Sequence, residues 1–207
     1  MTAALTPTTP TAARAIDAVV IGTSAGGVEA LSIVLGGIRG EASFAVLVVL
    51  HLPKDRRSLL PEILARKCAL PVLEAVDKQP VAPGTVYIAP PDYHLLVDDG
   101  PQLALSIDEP VHYSRPSVDV LFDSAADAYG QRLMGIVLTG ANQDGAEGLL
   151  AVQRAGGVTV VQDPQTAQAS LMPYSALQRL QPDHLLPLEG IADLLRWLSS
   201  PVPETHP

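Results

Sequence analysis

Three residues that can together carry out hydrolysis follow apolar runs of the sequence. Ser24 comes after the run DAVVIG, His51 ends the run ASFAVLVVLH, and Asp144 lies in TGANQDGA, just after RLMGIVLTG. A serine, an imidazole and a carboxylate are the nucleophile, the general base and the orienting group of serine hydrolases. If the fold brings these residues together, the sequence predicts a serine-dependent acyl transfer.

Each member of this trio also has a purely structural explanation. Ser24 could cap the helix that follows it, because serine oxygens accept hydrogen bonds from first-turn amides. His51 could be a hydrogen-bonded core histidine, and Asp144, which precedes a glycine, could belong to a turn or an N-cap. These alternatives remain open at the level of the sequence alone.

The glycines after Ser24 favour the hydrolytic interpretation. Gly26 and Gly27 let a substrate approach the backbone and leave the amides of Ala25 and Gly26 pointing outward. Amides at a helix N-terminus can stabilise an oxyanion. A dinucleotide-binding turn is disfavoured, because VVIGTSAGG lacks the G-x-G-x-x-G spacing and His51 stands where an acidic residue would close the second strand.

Alternating strand and helix patterns must position these side chains. Short apolar runs, each read as a buried strand, alternate with longer amphipathic segments, which predicts an α/β fold: a doubly wound, mainly parallel sheet with helices on both faces. All three candidate residues then fall at the carboxyl ends of strands, where open α/β sheets build their sites. Between residues 77 and 109, three short strand-like runs predict a β-rich hairpin insertion.

Length and composition predict one domain. The 207 residues include 47% apolar residues, enough for a sizeable core. We expect a disordered lead at residues 1–16, the catalytic domain at 17–200 and a frayed tail at 201–207. The single cysteine, Cys68, is expected to be a buried small hydrophobe.

Charge and hydropathy exclude several function classes. The net charge of −9 and the lack of a Lys/Arg block argue against nucleic-acid binding. No apolar run reaches the roughly 18 residues of a membrane span, and the N-terminus has no signal-peptide pattern, so we expect a cytoplasmic protein without membrane insertion. A monomer is the default expectation.

Successive sequence blocks resemble those of the CheB methylesterase domain. The blocks IGTSAGG, VVLHLP, YIAPPDYH, RPSVDVLF, VLTGANQDGAEG and LMPYSAL occur in the family's order between about residues 17 and 198. The resemblance implies that the family's nucleophile, imidazole and carboxylate fall on Ser24, His51 and Asp144.

The same resemblance implies a substrate and a partner. The family hydrolyses glutamate methyl esters on the cytoplasmic helices of chemoreceptors, releases methanol, and can deamidate receptor glutamines, with no metal or organic cofactor. Arg115 is the candidate for binding the acidic receptor surface or the product carboxylate, because a guanidinium matches carboxylate geometry; a solvated residue before a helix is the alternative. Met172 is expected to help line the substrate cleft, although packing would explain it equally well.

The chain departs from the family pattern in two places. Family members commonly carry a receiver domain before the esterase, whereas 16 residues precede the first predicted strand here, so we expect any receiver to be a separate chain. The family commonly has Thr at the position of Ala25 and Met-Gly at the positions of Ala141 and Asn142. These changes affect the pocket and leave the substrate less defined than the reaction.

Two other readings of the sequence keep the same fold. One retains the triad but acts mainly as a glutaminase, or on an ester outside chemotaxis. The other is a catalytically silent module that binds receptors or a signalling partner, against which the three intact candidate residues argue. The remaining histidines of the insertion and loop, His94 and His112, are expected to be surface residues.

Overall fold

The structure, a computed structural model, describes residues 15–40, 42–51 and 59–200. Within these ranges, nine strands occupy Ala18–Thr23 (β1), Ala45–Leu50 (β2), Val72–Glu74 (β3), Val86–Ile88 (β4), His94–Asp98 (β5), Gln102–Ser106 (β6), Leu133–Val137 (β7), Val158–Gln162 (β8) and His184–Leu186 (β9). The same described residues include six α-helices, at Gly27–Leu35 (α1), Leu60–Ala65 (α2), Val118–Tyr129 (α3), Ala146–Arg154 (α4), Leu171–Arg179 (α5) and Leu188–Leu198 (α6).

Seven strands form one parallel sheet in the order β3-β4-β2-β1-β7-β8-β9. Every residue of the central strands β1, β2 and β7 is buried, which explains why they are continuous apolar runs rather than alternating ones. From β1 the sheet grows in opposite directions, because β2 pairs with one edge of β1 and β7 pairs with the other. Open α/β sheets place their ligand sites outside the carboxyl ends of strands at such a point.

The sheet separates two hydrophobic cores. The first core, which includes Val19 and Ile21 of β1, lies against α1, α2 and α6. The second core, which includes Ala18 and Val20 of the same strand, lies against α3, α4, α5 and the β5–β6 pair. Because successive strand residues point to opposite faces, each central strand contributes to both cores. The predicted doubly wound fold is confirmed.

The insertion is smaller than the sequence predicts. β5 and β6 form the expected antiparallel hairpin, with His94 opposite Ser106 and Asp98 opposite Gln102. The run TVYIAPP, predicted as part of the insertion, instead supplies β4 to the main sheet, where all three residues of the strand are buried. The short edge strand β9 was not predicted, because its burial is incomplete and its three residues give no period.

The domain begins slightly earlier than predicted. Residue 15 is described, and Ile16, which was assigned to the disordered lead, is buried in the first core. The rest of the predicted lead, residues 1–14, and the predicted tail, residues 201–207, lie outside the described residues. Cys68 is buried as expected, and burial raises the pKa of its thiol.

Among the residues described, none of the helices combines the length and the apolar character that crossing a membrane requires.

One glycine of β1 sets the distance between the sheet and α3. A Cβ on Gly22 would lie 2.1 Å from Cγ1 of Val118, the first residue of α3. Val118 is fully buried, so it has little room to move away. The backbone of β1 therefore lies directly against the first turn of α3.

We expect Gly22→Ala to lower the free energy of unfolding by about 1–3 kcal/mol, the usual cost of overpacking a core. Urea denaturation of the two proteins measures the difference. Gly40→Ala is the matched control, because nothing lies within 4 Å of the position of its Cβ. Equal stability of the two variants would show that α3 can shift without cost.

Candidate active site

Ser24 lies directly after β1, in a turn that leads into α1. Its amide donates to the carbonyl of Thr139 (3.0 Å), and its carbonyl accepts from the amide of Gly27 (2.9 Å). Gly26, the N-cap of α1, has a φ of 79°. A side chain there would be strained, and its Cβ would lie 2.6 Å from Oε1 of Gln168. The turn thus requires glycine at this position.

The amides of Ala25 and Gly26 lie at the amino end of α1, beside Ser24. Within the described part of the chain, neither amide donates a backbone hydrogen bond. Unsatisfied amides at a helix N-terminus favour a negatively charged ligand. Both are therefore available to an oxyanion formed at Ser24.

Thr139 ties this turn to the end of β7. Its hydroxyl donates to the carbonyl of Ala25 (2.9 Å) and accepts from the amide of Ala169 (2.9 Å). Its carbonyl accepts from the hydroxyl of Thr23 (2.8 Å). Thr139 is buried, and it was not singled out from the sequence. The bonds fix the neighbouring strand ends from which the candidate residues emerge.

His51 follows β2 and points toward the loop after β7. Its amide donates to the carbonyl of Thr23 (3.2 Å), and its Nε2 lies 2.8 Å from Oδ2 of Asp144. The side chain of His51 is 13% exposed, whereas that of Asp144 is fully buried. The ring therefore bridges a buried carboxylate and the open cleft.

The carboxylate of Asp144 is hydrogen-bonded by the first turn of α3. Oδ1 accepts from the hydroxyl of Ser117 (2.8 Å) and the amide of Asp119 (3.0 Å), and Oδ2 accepts from the amide of Val118 (2.7 Å). Burial alone would raise the pKa of Asp144, but the hydrogen bonds from His51, Asp119 and Val118, together with the charge of His51, hold it below its usual value. Asp144 is thus an ionised partner for the imidazole.

Asn142 contacts both His51 and Asp144. Its Nδ2 lies 2.9 Å from Nδ1 of His51, and its Oδ1 accepts from the amide of Asp144 (3.1 Å). Position 142 departs from the family pattern in sequence, but that departure does not reveal this contact.

A second carboxylate, Asp119, lies behind the first. Its Oδ1 accepts from the amides of Gly145 (2.9 Å) and Gly148 (2.7 Å) at the start of α4. Its Oδ2 lies 3.5 Å from Nε2 of His112, which is exposed as predicted. Burial, with the nearby charge of Asp144 as a further contribution, raises the pKa of Asp119 to about 6 despite the hydrogen bonds from Gly148 and Gly145.

Ser24 and His51 line a common cavity of about 280 Å³. Gly26, Gly27, Leu50 and Gln168 also line it. Met172 lies behind this cavity: it is 1% exposed, and a Cβ on Gly140 would lie 1.9 Å from its Sδ and 3.0 Å from Cβ of Ser24. Met172 is therefore packed beside Ser24, across Gly140.

Arg115, in the loop before α3, makes its hydrogen bonds to that loop and to Asp92, which lies between β4 and β5. Nε and Nη2 donate to Oδ1 of Asp92 (3.0 and 2.8 Å), and Nη1 donates to the carbonyls of Ile107 (2.7 Å) and Asp108 (3.0 Å). Its side chain is 18% exposed. All three guanidinium nitrogens are therefore engaged by this chain, and the side chain keeps a small exposed fraction.

The prediction that His94 is a surface residue is wrong. The residue is 2% exposed, its Nδ1 accepts from the amide of Ser117 (3.1 Å), and its Nε2 contacts the carbonyl of Glu109 (3.2 Å). His94 begins β5 on the face that packs against α3, which the hairpin pattern alone does not reveal. His94 therefore holds Ser117 in place, and Ser117 caps α3 and donates a hydrogen bond to Asp144.

Among the described residues, no group of three or more His, Cys, Asp or Glu side chains could hold a metal ion.

Comparisons with known proteins agree on one family. A family model described as CheB methylesterase matches residues 19–195. A protein of Leptospira interrogans (strain Fiocruz L1-130), named putative protein-glutamate methylesterase/protein-glutamine glutaminase, is 42% identical over 178 residues, which are 86% of this chain and 92% of the relative. A protein of Anaeromyxobacter dehalogenans, named protein-glutamate methylesterase/protein-glutamine glutaminase 1, is 40% identical over 191 residues.

These relatives differ in length. The matched region covers 91% of this chain but 54% of the Anaeromyxobacter protein. Among solved structures, the CheB methylesterase catalytic domain of Thermotoga maritima superposes with a TM-score of 0.84 at 32% identity. That match covers 88% of this chain and 98% of the Thermotoga domain.

The raised pKa of Asp119 makes stability depend on pH. Between its usual value of 3.8 and about 6, the folded protein keeps a proton that the unfolded chain has released, so this contribution to the free energy of unfolding falls as pH rises through that window. Asp119→Asn keeps an oxygen for the amides of Gly145 and Gly148 and removes the charge. Relative to wild type, we expect the variant to gain stability from about pH 4 to about pH 7.

Urea unfolding at several pH values measures this difference. Asp119→Ala is the control, because it removes the cap of α4 as well as the charge, and it should be less stable than Asp119→Asn by about 1–2 kcal/mol at every pH. A difference between Asp119→Asn and wild type that does not change with pH would show that Asp119 keeps an ordinary pKa in the folded protein.

Proposed function

Because the chain belongs to the CheB methylesterase family, we propose that it is a serine hydrolase that removes methyl esters from glutamate side chains of chemoreceptors. The observation that carries the proposal is the contact between His51 and the buried Asp144 (2.8 Å), in a cleft that His51 shares with Ser24. Deamidation of receptor glutamines by the same residues is part of the proposal, since an amide and an ester present the same carbonyl to Ser24.

In the proposed reaction, the hydroxyl of Ser24 attacks the ester carbonyl while His51 takes its proton. Since Nε2 of His51 is bound to Asp144, Nδ1 is the nitrogen left for this transfer. Asp144 holds the ring and stabilises the imidazolium that forms. The amides of Ala25 and Gly26 stabilise the oxyanion of the tetrahedral intermediate.

Collapse of this intermediate breaks the bond to methoxide, which takes the proton from His51 and leaves as methanol. The glutamyl group is then esterified to Ser24. A water molecule attacks this ester, with His51 again as the base, and releases the glutamate carboxylate. The chain supplies every group in this sequence, so the proposed chemistry uses no metal or organic cofactor.

Two further residues belong to the proposed substrate site. Met172 packs against Gly140 and so supports the wall of the cleft. Because Met172 is almost completely buried, it contributes packing and little direct contact with the substrate. The exposed part of the Arg115 side chain meets the acidic receptor surface in this proposal, while Asp92 holds the guanidinium within the chain. The net charge of −9 makes a local cation useful for approach to an acidic partner.

The proposed setting follows from the substrate. The protein acts in the cytoplasm, on the cytoplasmic helices of the receptors, as a monomer. A receiver domain on a separate chain is the proposed regulator.

We expect Ser24→Ala to lower methanol release from methylated receptor fragments by on the order of 10⁴-fold or more, as removal of a triad nucleophile does. Ser32→Ala is the matched control, because the hydroxyl of Ser32 donates within α1, to the carbonyl of Val28 (2.7 Å). A loss below tenfold in Ser24→Ala would exclude Ser24 as the nucleophile.

Arg115→Ala should raise the KM for the receptor fragment by about two- to fivefold and leave kcat unchanged, because a partly exposed charge contributes little binding free energy. Asp92→Asn separates two ways of acting. If Arg115 acts by holding its loop, both variants raise KM. If the guanidinium binds the receptor directly, Asp92→Asn leaves KM unchanged or lowers it. An unchanged KM in Arg115→Ala would show that Arg115 takes no part in receptor recognition.

A further inference from the structure

Both ring nitrogens of His51 are already hydrogen-bonded. Nε2 faces Oδ2 of Asp144 at 2.8 Å, and Nδ1 faces Nδ2 of Asn142 at 2.9 Å. A carboxylate only accepts, so Nε2 carries the proton, and Nδ1 presents the single in-plane lone pair of a neutral imidazole. Nδ1 is also the nitrogen that must take the proton of Ser24.

The orientation of the Asn142 amide follows from its other end. Oδ1 of Asn142 accepts from the amide of Asp144 (3.1 Å), so the oxygen is committed to the backbone and the NH₂ group must face the ring. If the amide were flipped, its NH₂ group would face the backbone N–H of Asp144, and its oxygen would face the lone pair on Nδ1 of His51. Asn142 is therefore a hydrogen-bond donor to Nδ1.

The position of Asn142 in the loop makes the contact separable from the rest of the site. Its neighbours in sequence, Ala141 and Gln143, are exposed, and Asn142 itself is half-buried. Gln143 directs its own amide to His112, at 3.3 Å from Nδ1 of that ring. A rotation of the Asn142 side chain is enough to free Nδ1 without moving β7 or α4.

We propose that Asn142 is a positioning residue that caps the base nitrogen of His51 in the free enzyme, so that Ser24 is activated only after the amide leaves Nδ1. The proposal rests on the proposed function of Ser24, His51 and Asp144. One lone pair accepts one strong hydrogen bond, so the amide and the serine hydroxyl compete for the same site. Every turnover then starts from a minority of molecules in which Nδ1 is free.

Removal of the cap should raise the rate. A net hydrogen bond between neutral groups shifts an equilibrium by about fivefold, so Asn142→Ala should raise kcat by about that factor. Attack by Ser24 and attack by water both use Nδ1, so both steps gain and KM for the receptor fragment should stay within about twofold.

Two variants isolate the donor from the loop. Asn142→Asp keeps the shape and an oxygen for the amide of Asp144, but it cannot donate to Nδ1. Its carboxylate accepts an N–H from the ring instead and so removes the free base, and kcat should fall. Gln143→Ala changes the neighbouring amide, which serves His112, and should leave kcat within about twofold.

Nitrogen-15 NMR of His51 in the free protein supplies a readout that does not need activity. With the hydrogen bond removed, the Nδ1 resonance should move to lower field in Asn142→Ala and stay in place in Gln143→Ala; His51→Gln assigns the signal. A rise in kcat with this shift supports the proposal. An unchanged or lower kcat in Asn142→Ala, or an unmoved resonance, overturns it.

Failure of the proposed function gives a different result. If Ser24→Ala keeps its activity, the reaction does not use this nucleophile, whereas the resonance of Nδ1 still reports whether Asn142 binds the ring. If Asn142→Ala does not fold, Asn142→Asp answers the same question, because a kcat equal to or above that of wild type in that variant contradicts competition at Nδ1.

Discussion

The carboxylate of Asp144 is buried among donors that come from two directions. The first turn of α3 supplies the hydroxyl of Ser117 and the amides of Val118 and Asp119, and the end of β2 supplies the imidazole of His51. Burial of an ionised carboxylate without such donors would cost several kcal/mol. The helix amides meet this requirement, and His51 completes it, so the direction of the ring follows from the burial of its partner.

The first-turn amides of α3 and of α4 are each capped by a carboxylate that lies in or next to the other helix. Asp144 precedes α4 and bonds the amides of α3, while Asp119 belongs to α3 and bonds the amides of α4. The hairpin adds a third support, because His94 accepts from the amide of Ser117. The two carboxylates share one electrostatic environment, in which Asp144 stays ionised and Asp119 binds a proton more readily. The elements that hold Asp144 beneath the cleft therefore lie mainly on the side of the sheet that carries the second core.

The parallel sheet was predictable, because buried strands read as apolar runs, and so was the placement of the three candidate residues, because polar residues that follow such runs lie near the carboxyl ends of the strands. Ser24, His51 and Asp144 all lie at that edge. The matched family model confirms the family resemblance, while the catalytic roles that the resemblance assigns to these three residues stay a prediction.

The supporting contacts were not predictable, because they depend on long-range approach rather than on local pattern. His94 and Asp119 look like surface polar residues in sequence, yet they are buried by packing between the hairpin, α3 and α4. Asn142 reaches His51 across 91 positions of the chain. The strand β9 has three residues at a sheet edge, too few for a period to show.

The two cores also differ in what a substitution in each would change. The first core, under α1, α2 and α6, meets the cleft at Leu50 and at the turn at Ser24, whereas the second holds α3, α4 and the hairpin that fix Asp144. Neutral drift on the face of the first core can therefore proceed, away from Leu50 and the Ser24 turn, mainly under selection for folding. On the other face the same drift is constrained by catalysis, so homologous lineages should diverge unevenly across a single sheet.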